Sequence, residues 1–381
     1  MTDAASKALL PIGLHDTLAP MAEREASVVS TLLNSFYSFG YGQIAAPLAE
    51  FEETLLSGVG ASEGRRMFRL MDPASRQMLG IRTDITTQIA RIATTRLAEA
   101  PRPLRLCYAG QVLRVEGDQL RREREVCQAG VELVGEAATT ADLEVLSLAI
   151  QSVRAAGVDG FTVDLTLPQF VPQLCEGLGV DAQTTAKIRE ALDSKDIDTL
   201  NALEGDAGAL FKSLLSAAGP ADIALERLGG LDLPAAIASQ IDDMAAFVAG
   251  LREQHSKVTL TIDLGEYRNF EYHEGLCFTL FAPDGDGELA RGGRYSVTGE
   301  NGEAETAVGF TVYVDAVMRA RAQDDTPNSV FVPLEESSQA ATLRAEGWRV
   351  VTGLTVAADA TEEAKRMGCT HVYDAGQINE L

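Results

Sequence analysis

In 381 residues there are only six lysines and five cysteines, and nowhere a run of eighteen apolar residues. Without such a run, no segment reads as a membrane-spanning helix. The cysteines (Cys107, Cys127, Cys175, Cys277, Cys369) are scattered, odd in number and never spaced as a pair of ligands, so they read as small buried apolar residues rather than nucleophiles or metal ligands. The start, MTDAASKALLPIG, has no charged-then-apolar leader, and a reduced, cytoplasmic protein is expected. The four histidines (His15, His255, His273, His371) have no partner at i+3 or i+4, which leaves a helix-borne zinc centre without support. There is no G-x-G-x-x-G and no G-x-x-x-x-G-K-[ST], so dinucleotide binding and the P-loop NTPases drop out. Asp284-Gly285-Asp286-Gly287 starts like a calcium loop, but Leu289 and Tyr295 stand where its glycine and bidentate glutamate belong, and it reads as a turn. No metal and no cofactor are expected.

What is present is an ordinary globular composition, 46% hydrophobic and 23% charged, long enough for two or three compact units at roughly 150 residues each. Against 56 acidic residues stand 32 basic ones, a net charge of −24. Such a chain repels phosphate backbones and anionic lipid headgroups at long range, so nucleic acid and membrane surfaces are disfavoured partners. The charge is uneven, however. Thirteen of the 26 arginines fall between Arg65 and Arg124, a stretch with no lysine and a local net of +7. Arginine is preferred over lysine where a planar fork of donors must meet a carboxylate or phosphate, so the island is a candidate anion site; a solvated face is the plainer alternative.

Apolar spacing predicts a long amphipathic helix over 17–39, capped by Gly40, and a short extended segment over 41–48 that contains Pro47. Helices are expected over 86–97 and 140–156. Strands are expected over 104–108, 111–115, 125–134 and 161–167, with 116–124 as a hairpin loop. From 168 to 256 the texture turns to alanine, leucine and short helical patterns, an inserted helical subdomain. Strand texture returns over 258–264 and 276–282, followed by Arg291-Gly292-Gly293-Arg294-Tyr295, a helix over 309–322 and a linker over 323–327. The tail alternates strand and helix. The expected organisation is a core of 1–167 with 257–325, an insertion of 168–256, and a C-terminal α/β segment of 326–381.

Three separated patterns together resemble the class II aminoacyl-tRNA synthetase core, and specifically its histidyl-tRNA synthetase branch. Gly40-Tyr41 through Pro47 to Glu50 is similar to motif 1, whose proline lies at the family's dimer interface. The stretch Leu106-Cys107-Tyr108, Gly110, Val112 to Glu116, Arg122, Arg124, Gln128, Gly130 and Glu132 resembles motif 2. The resemblance implies that Arg114 holds an amino-acid carboxylate, that the loop arginines Arg122 and Arg124 offer anion or phosphate contacts, and that Gln128 and Glu132 bind a histidine ligand. A buried carboxylate is a suitable acceptor for an imidazole N–H and costly without such a partner. Upstream, Arg82-Thr83-Asp84-Ile85-Thr86 is similar to the segment that holds the α-amino group, with Asp84 one methylene shorter than the family's glutamate. Residues 268–275 and 292–295 resemble the two histidine-specific segments, which implies that Arg268 meets the ligand carboxylate while Tyr272, His273 and Tyr295 line the pocket. His273 replaces a tyrosine of the family pattern.

The resemblance implies an α+β fold, a mixed and mostly antiparallel sheet flanked by helices, with a helical insertion and a short C-terminal α/β segment. One departure bears on function: Ala316 stands where motif 3 has the arginine that clamps ATP, and an alanine supplies neither charge nor donor. A histidine-shaped pocket without that clamp looks like the regulatory-subunit family of ATP phosphoribosyltransferase. That resemblance implies assembly with the short-form catalytic subunit, histidine as effector, feedback inhibition of histidine biosynthesis, self-dimerisation and no catalysis of its own. A divergent histidyl-tRNA synthetase that recruits its missing cation elsewhere, or another amino-acid-binding paralogue, remains the alternative.

Overall fold

The computed structural model describes residues 10–117, 123–203, 207–267, 272–283, 287–299, 302–321 and 328–381. Arg122, Arg268, the Asp284 turn and the linker of 323–327 lie outside the described residues. The chain divides into two compact units, residues 1–321 and 322–381.

The first unit is built on a nine-stranded sheet. Its strands are β1 (Gly42–Gln43), β5 (Leu104–Leu113), β6 (Glu125–Val134), β7 (Thr162–Thr166), β8 (Gly219–Pro220), β9 (Thr259–Ile262), β10 (His273–Phe281), β11 (Glu288–Thr298) and β12 (Ala304–Tyr313), in spatial order β1-β5-β6-β12-β11-β10-β7-β9-β8. Among the described residues of this sheet, only β1 with β5 and β7 with β9 pair in parallel. The sheet is thus mixed and mostly antiparallel, as the resemblance implied. A small sheet of β2 (Ala49–Phe51), β3 (Arg69–Met71) and β4 (Met78–Ile81) lies beside it in sequence, with β4 in the middle.

Period-2 alternation decides what each strand offers to each face. Along β6, Cys127, Ala129, Val131 and Leu133 enter the large core, so Gln128, Gly130 and Glu132 point to the opposite face. The large core packs against helices α1 (Met21–Ser38) and α4 (Thr139–Ala155), whose Val28, Leu32 and Phe36, and Val145, Leu148 and Val153, are buried in it. The opposite face carries a smaller cluster with Tyr108, Val112, Tyr295 and Ala307 from the strands and Ile85 and Ile89 at the start of α3 (Thr86–Thr94). α2 (Glu52–Leu55) is a single turn that follows β2 of the small sheet.

Between β7 and β10 run α5 (Phe170–Gly177), α6 (Ala182–Asp193), α7 (Ile197–Asn201), α8 (Ala207–Ala217), α9 (Ala221–Gly229) and α10 (Ala235–Gln254). Their apolar residues, among them Leu174, Leu192, Phe211 and Phe247, belong to the same large core as the sheet. The second unit holds a four-stranded sheet in the order β14 (Arg349–Thr352), β13 (Ser329–Val332), β15 (His371–Asp374), β16 (Gln377–Glu380), with helices α12 (Ala340–Ala345) and α13 (Ala360–Arg366).

Three expectations fail for identifiable reasons. The first helix begins at Met21 rather than near residue 17, because Pro20 stands at its N-cap and leaves Leu18 exposed. The strands expected over 104–108 and 111–115 are one continuous β5. The helix expected over 309–322 is wrong over its first third: residues through Tyr313 are β12, paired with β6 from Ala307↔Val134 to Tyr313↔Gln128, and only Val314–Ala320 forms a helix, α11.

A buried carboxylate site on the open face of the sheet

The alternation that sends odd residues of β6 into the core sends Gln128 and Glu132 toward α3, and both are buried. Glu132 accepts a hydrogen bond from Tyr295 Oη at 2.7 Å. It fits only because its cross-strand neighbour is Gly309: a Cβ there would lie 1.8 Å from Glu132 Oε2. Burial pushes the Glu132 carboxyl up to about 8, and the nearby Asp84 charge adds to this, while hydroxyls of Tyr295, Thr86 and Tyr108 act against it. Leaving a carboxylate ionised in such a place without a cation costs several kcal/mol, on the order of the penalty for an unpaired buried charge. Among the described residues, Glu132 has no ion-pair partner.

Asp84 is set just before α3 and accepts the N–H of its first residue, Thr86, on Oδ1 at 2.8 Å. Its Oδ2 accepts Gln128 Nε2 at 3.0 Å, and Gln128 Oε1 accepts Ile85 N–H at 3.3 Å. The two strand residues and the helix start therefore form one unit around Asp84. Thr86 Oγ1 lies 3.3 Å from Tyr108 Oη, which lies 2.8 Å from Thr311 Oγ1. Tyr108 lies in the stretch that resembles motif 2, but neither it nor Thr311 was assigned a site role from the sequence. The available signal was a tyrosine in a buried strand, whose hydroxyl requires a partner.

On the far side of β12, Tyr295 faces His273 across the β10–β11 register. Tyr272 stacks on His273 at 4.1 Å between ring centroids and meets Tyr295 edge to face at 5.8 Å. Burial, with the positive charge of Arg291, holds the His273 imidazole down to about 3, so it is neutral at physiological pH. Tyr272, His273 and Tyr295 are thus together in one aromatic wall, with Glu132 bonded to its Tyr295 edge.

Several arginines of the island are spent on contacts within the fold, while Arg65, Arg76 and Arg96 are exposed. Arg91 and Arg105 grip Glu50 and Glu144 with paired bonds of 2.5–2.9 Å, Arg102 grips Glu305 at 2.5 and 2.8 Å, and Arg69 meets Glu52. Arg82 donates to the carbonyls of Gln111 and Ala46. Arg124 donates to the carbonyls of Arg114 and Ile12 and lies over the Phe68 ring. Arg114 differs. It is buried, donates from Nε to Thr83 O at 3.3 Å, next to Asp84, and has no ion-pair partner among the described residues. Outside the island, Arg294 of the Gly292-Gly293-Arg294-Tyr295 run is held by Asp142 at 2.8 and 3.0 Å and ties β11 to α4. Ala316 is buried on α11.

Chemically, the arrangement offers a buried acid (Glu132), a half-buried one (Asp84), an amide and an aromatic wall for a ligand rich in N–H donors, with one arginine for an anionic end. Among the described residues no group of three or more His, Cys, Asp or Glu side chains is placed to hold a metal ion, and no helix is long and apolar enough to cross a membrane.

Comparison with known proteins bears on this arrangement directly. The family pattern of histidyl-tRNA synthetases matches residues 13–317. The whole chain is 46% identical, over 385 residues and 99% of the relative, to an ATP phosphoribosyltransferase regulatory subunit of Rhodospirillum centenum. It is 47% identical over 382 residues, with complete coverage of both chains, to the protein of the same description from Paramagnetospirillum magneticum. Among solved structures, a Bacillus halodurans protein described as an ATP phosphoribosyltransferase regulatory subunit/histidyl-tRNA synthetase is similar with a TM-score of 0.80 at 25% identity, over 94% of this chain and 96% of that one.

Proposed function

Because the chain belongs to the histidyl-tRNA synthetase family and, within it, to the ATP phosphoribosyltransferase regulatory subunits, we propose that its pocket is a histidine sensor with no chemistry of its own. As a regulatory subunit of ATP phosphoribosyltransferase it serves the first step of histidine biosynthesis. In this reading it assembles in the cytoplasm with the short-form catalytic subunit, and histidine, the end product, is the effector that inhibits the assembly.

The observation that carries the reading is Glu132, buried, with only hydroxyl partners among the described residues and its carboxyl raised to about 8. An imidazole N–H is the donor that would relieve it. Gln128 is in reach of the same ring, Asp84 and Thr86 take the α-ammonium group, and Arg114 takes the carboxylate together with Arg268, which is assigned from the sequence match alone. Tyr272, His273 and Tyr295 wall the imidazole. Since a ligand shifts an equilibrium only by its differential affinity, histidine binds the inhibited assembly more tightly than the active one.

Adenylation requires a cation where Ala316 stands, and a buried alanine offers none, which supports binding without reaction. A self-dimer is supported by the exposed Leu48, Phe51, Leu70, Met71 and Met78, all on or beside the three-stranded sheet, large apolar side chains that a contact between copies would cover.

The test is reconstitution. Mixed with a short-form catalytic subunit, the protein should co-elute with it as a hetero-oligomer and make its activity sensitive to histidine. Histidine-dependent exchange of pyrophosphate into ATP by the purified protein would overturn the sensor in favour of a divergent synthetase.

A further inference from the structure

The stretch that enters the pocket from β9 is gripped at both ends by the helical region, and one grip occupies a conformation that its residue disfavours. Lys195 follows α6 and its Ser194 C-cap with φ +58, and Lys195 N–H and Asp196 N–H close the helix end on Leu192 O and Ala191 O. Glycine is the usual occupant of such a position, because a Cβ is strained there. A lysine in its place needs a reason, and its ammonium group pairs with Asp263 Oδ2. Asp263 also accepts Gly265 N–H at 2.9 Å, and its own N–H is tied to Leu165 O of β7 at 3.1 Å. Gly265 is close enough to α6 that a Cβ would lie 3.2 Å from Leu192 Cβ.

Two residues on, Tyr267 donates its N–H to Asp193 Oδ1 at 3.4 Å, and the Arg189 guanidinium lies 4.1 Å from the centre of its ring. At the other end, Gln169, the N-cap of α5, donates from Nε2 to His273 O at 3.3 Å. The helices thus hold residues 263–267 and residue 273, which bracket Arg268 and the pocket residue Tyr272.

We propose that Lys195, with Arg189 and Asp193, is a positioning residue for ligand binding: α6 and the lysine that follows it fix the segment leading from β9 toward the pocket, so that contacts made outside the ligand site set its affinity. This rests on the histidine-sensor reading above. Apolar packing alone would hold the helix against the sheet; directional polar contacts to the segment's backbone and charges fix its register as well. The half-buried Glu266 lies in the same place, with Thr166 Oγ1 donating to its carbonyl at 3.1 Å, and Asp164, Asp263 and Arg291 as its charged neighbours.

The experiment compares K195G and K195R with the parent by calorimetric titration with L-histidine, by thermal melting, and by amide hydrogen exchange over residues 260–276 without ligand. K195G relieves the backbone strain while removing the ammonium group, so its melting temperature should change little. Its histidine affinity should fall about threefold to tenfold, the scale of a coupling between neighbouring groups, and its exchange over 260–276 should quicken. K195R should bind and exchange like the parent. Unchanged affinity in K195G, or equal loss in both variants, overturns the proposal. If the parent takes up no histidine, the sensor reading fails; the latch is then judged on exchange alone, and unchanged exchange in K195G overturns it.

Discussion

The arginine island and the carboxylate pocket each gather side chains of one charge type, yet they differ in how those side chains are matched inside the fold. In the island, Arg69, Arg91, Arg102 and Arg105 are paired within the chain to Glu52, Glu50, Glu305 and Glu144, and Arg82 and Arg124 are spent on carbonyls. In the pocket, Glu132 and Asp84 lie among hydroxyls, amides and rings, with no ion-pair partner among the described residues. Charge that is matched inside the fold holds elements together, whereas charge left with neutral partners is stored desolvation that a ligand of opposite character can relieve. Arg114, without an ion-pair partner among the described residues and adjoining Asp84 through Thr83, belongs to the pocket although it lies in the island.

The sharpest way to break this contrast is at Glu132. E132Q keeps the shape and loses the acceptor charge, and histidine affinity should fall about tenfold to a hundredfold, the scale of a hydrogen bond to a charged group. Calorimetric titration reads it directly. Next come two arginines from the same island. R114A should weaken histidine binding about tenfold with little change in melting, whereas R102A, which breaks the paired contact with Glu305, should cost about 1–3 kcal/mol of stability and leave affinity unchanged. Equal behaviour of the two would erase the distinction.

The pH dependence should separate the regions more finely. The free pocket holds the Glu132 proton up to about pH 8, and a bound neutral imidazole donating to the carboxylate requires that proton to leave. Affinity in the parent should therefore rise from pH 6 to pH 8 more steeply than in E132Q, with proton release detectable by titration in buffers of different ionisation enthalpy. The smallest effect is on the ligand-free protein. Between the unfolded carboxyl's 4.5 and the folded value of about 8, the folded state binds more protons, so stability falls as pH rises through that window. E132Q lacks this loss, and its melting temperature should gain on the parent's toward pH 8.

Much of this was legible in the sequence. Residues 125–134 read as a strand from end to end because turn-like polar residues bound an apolar run, and β6 occupies that span. The motif resemblance picked out Gln128, Glu132, Asp84 and Thr86, which the fold gathers within hydrogen-bonding distance of one another or of shared partners. The β12 segment was misread because seven of its ten residues, from Ala307 to Tyr313, are buried in succession; a strand covered on both faces shows no alternation, and an apolar run alone cannot distinguish strand from helix. The purpose of Gly309 was equally hidden, since the Glu132 carboxylate that needs its space is 177 positions away. The island misled for a related reason: Glu144 and Glu305 are 39 and 203 residues from the arginines they pair with, and composition counts charges without pairing them.

The central claim is most directly tested by titrating the ligand-free protein with L-histidine in a calorimeter, up to millimolar concentration, with E132Q alongside. One saturable site per chain in the parent, weakened in E132Q, is the result predicted. No heat from the parent, or undiminished binding by E132Q, would contradict the assignment of the buried carboxylate as the histidine-sensing group.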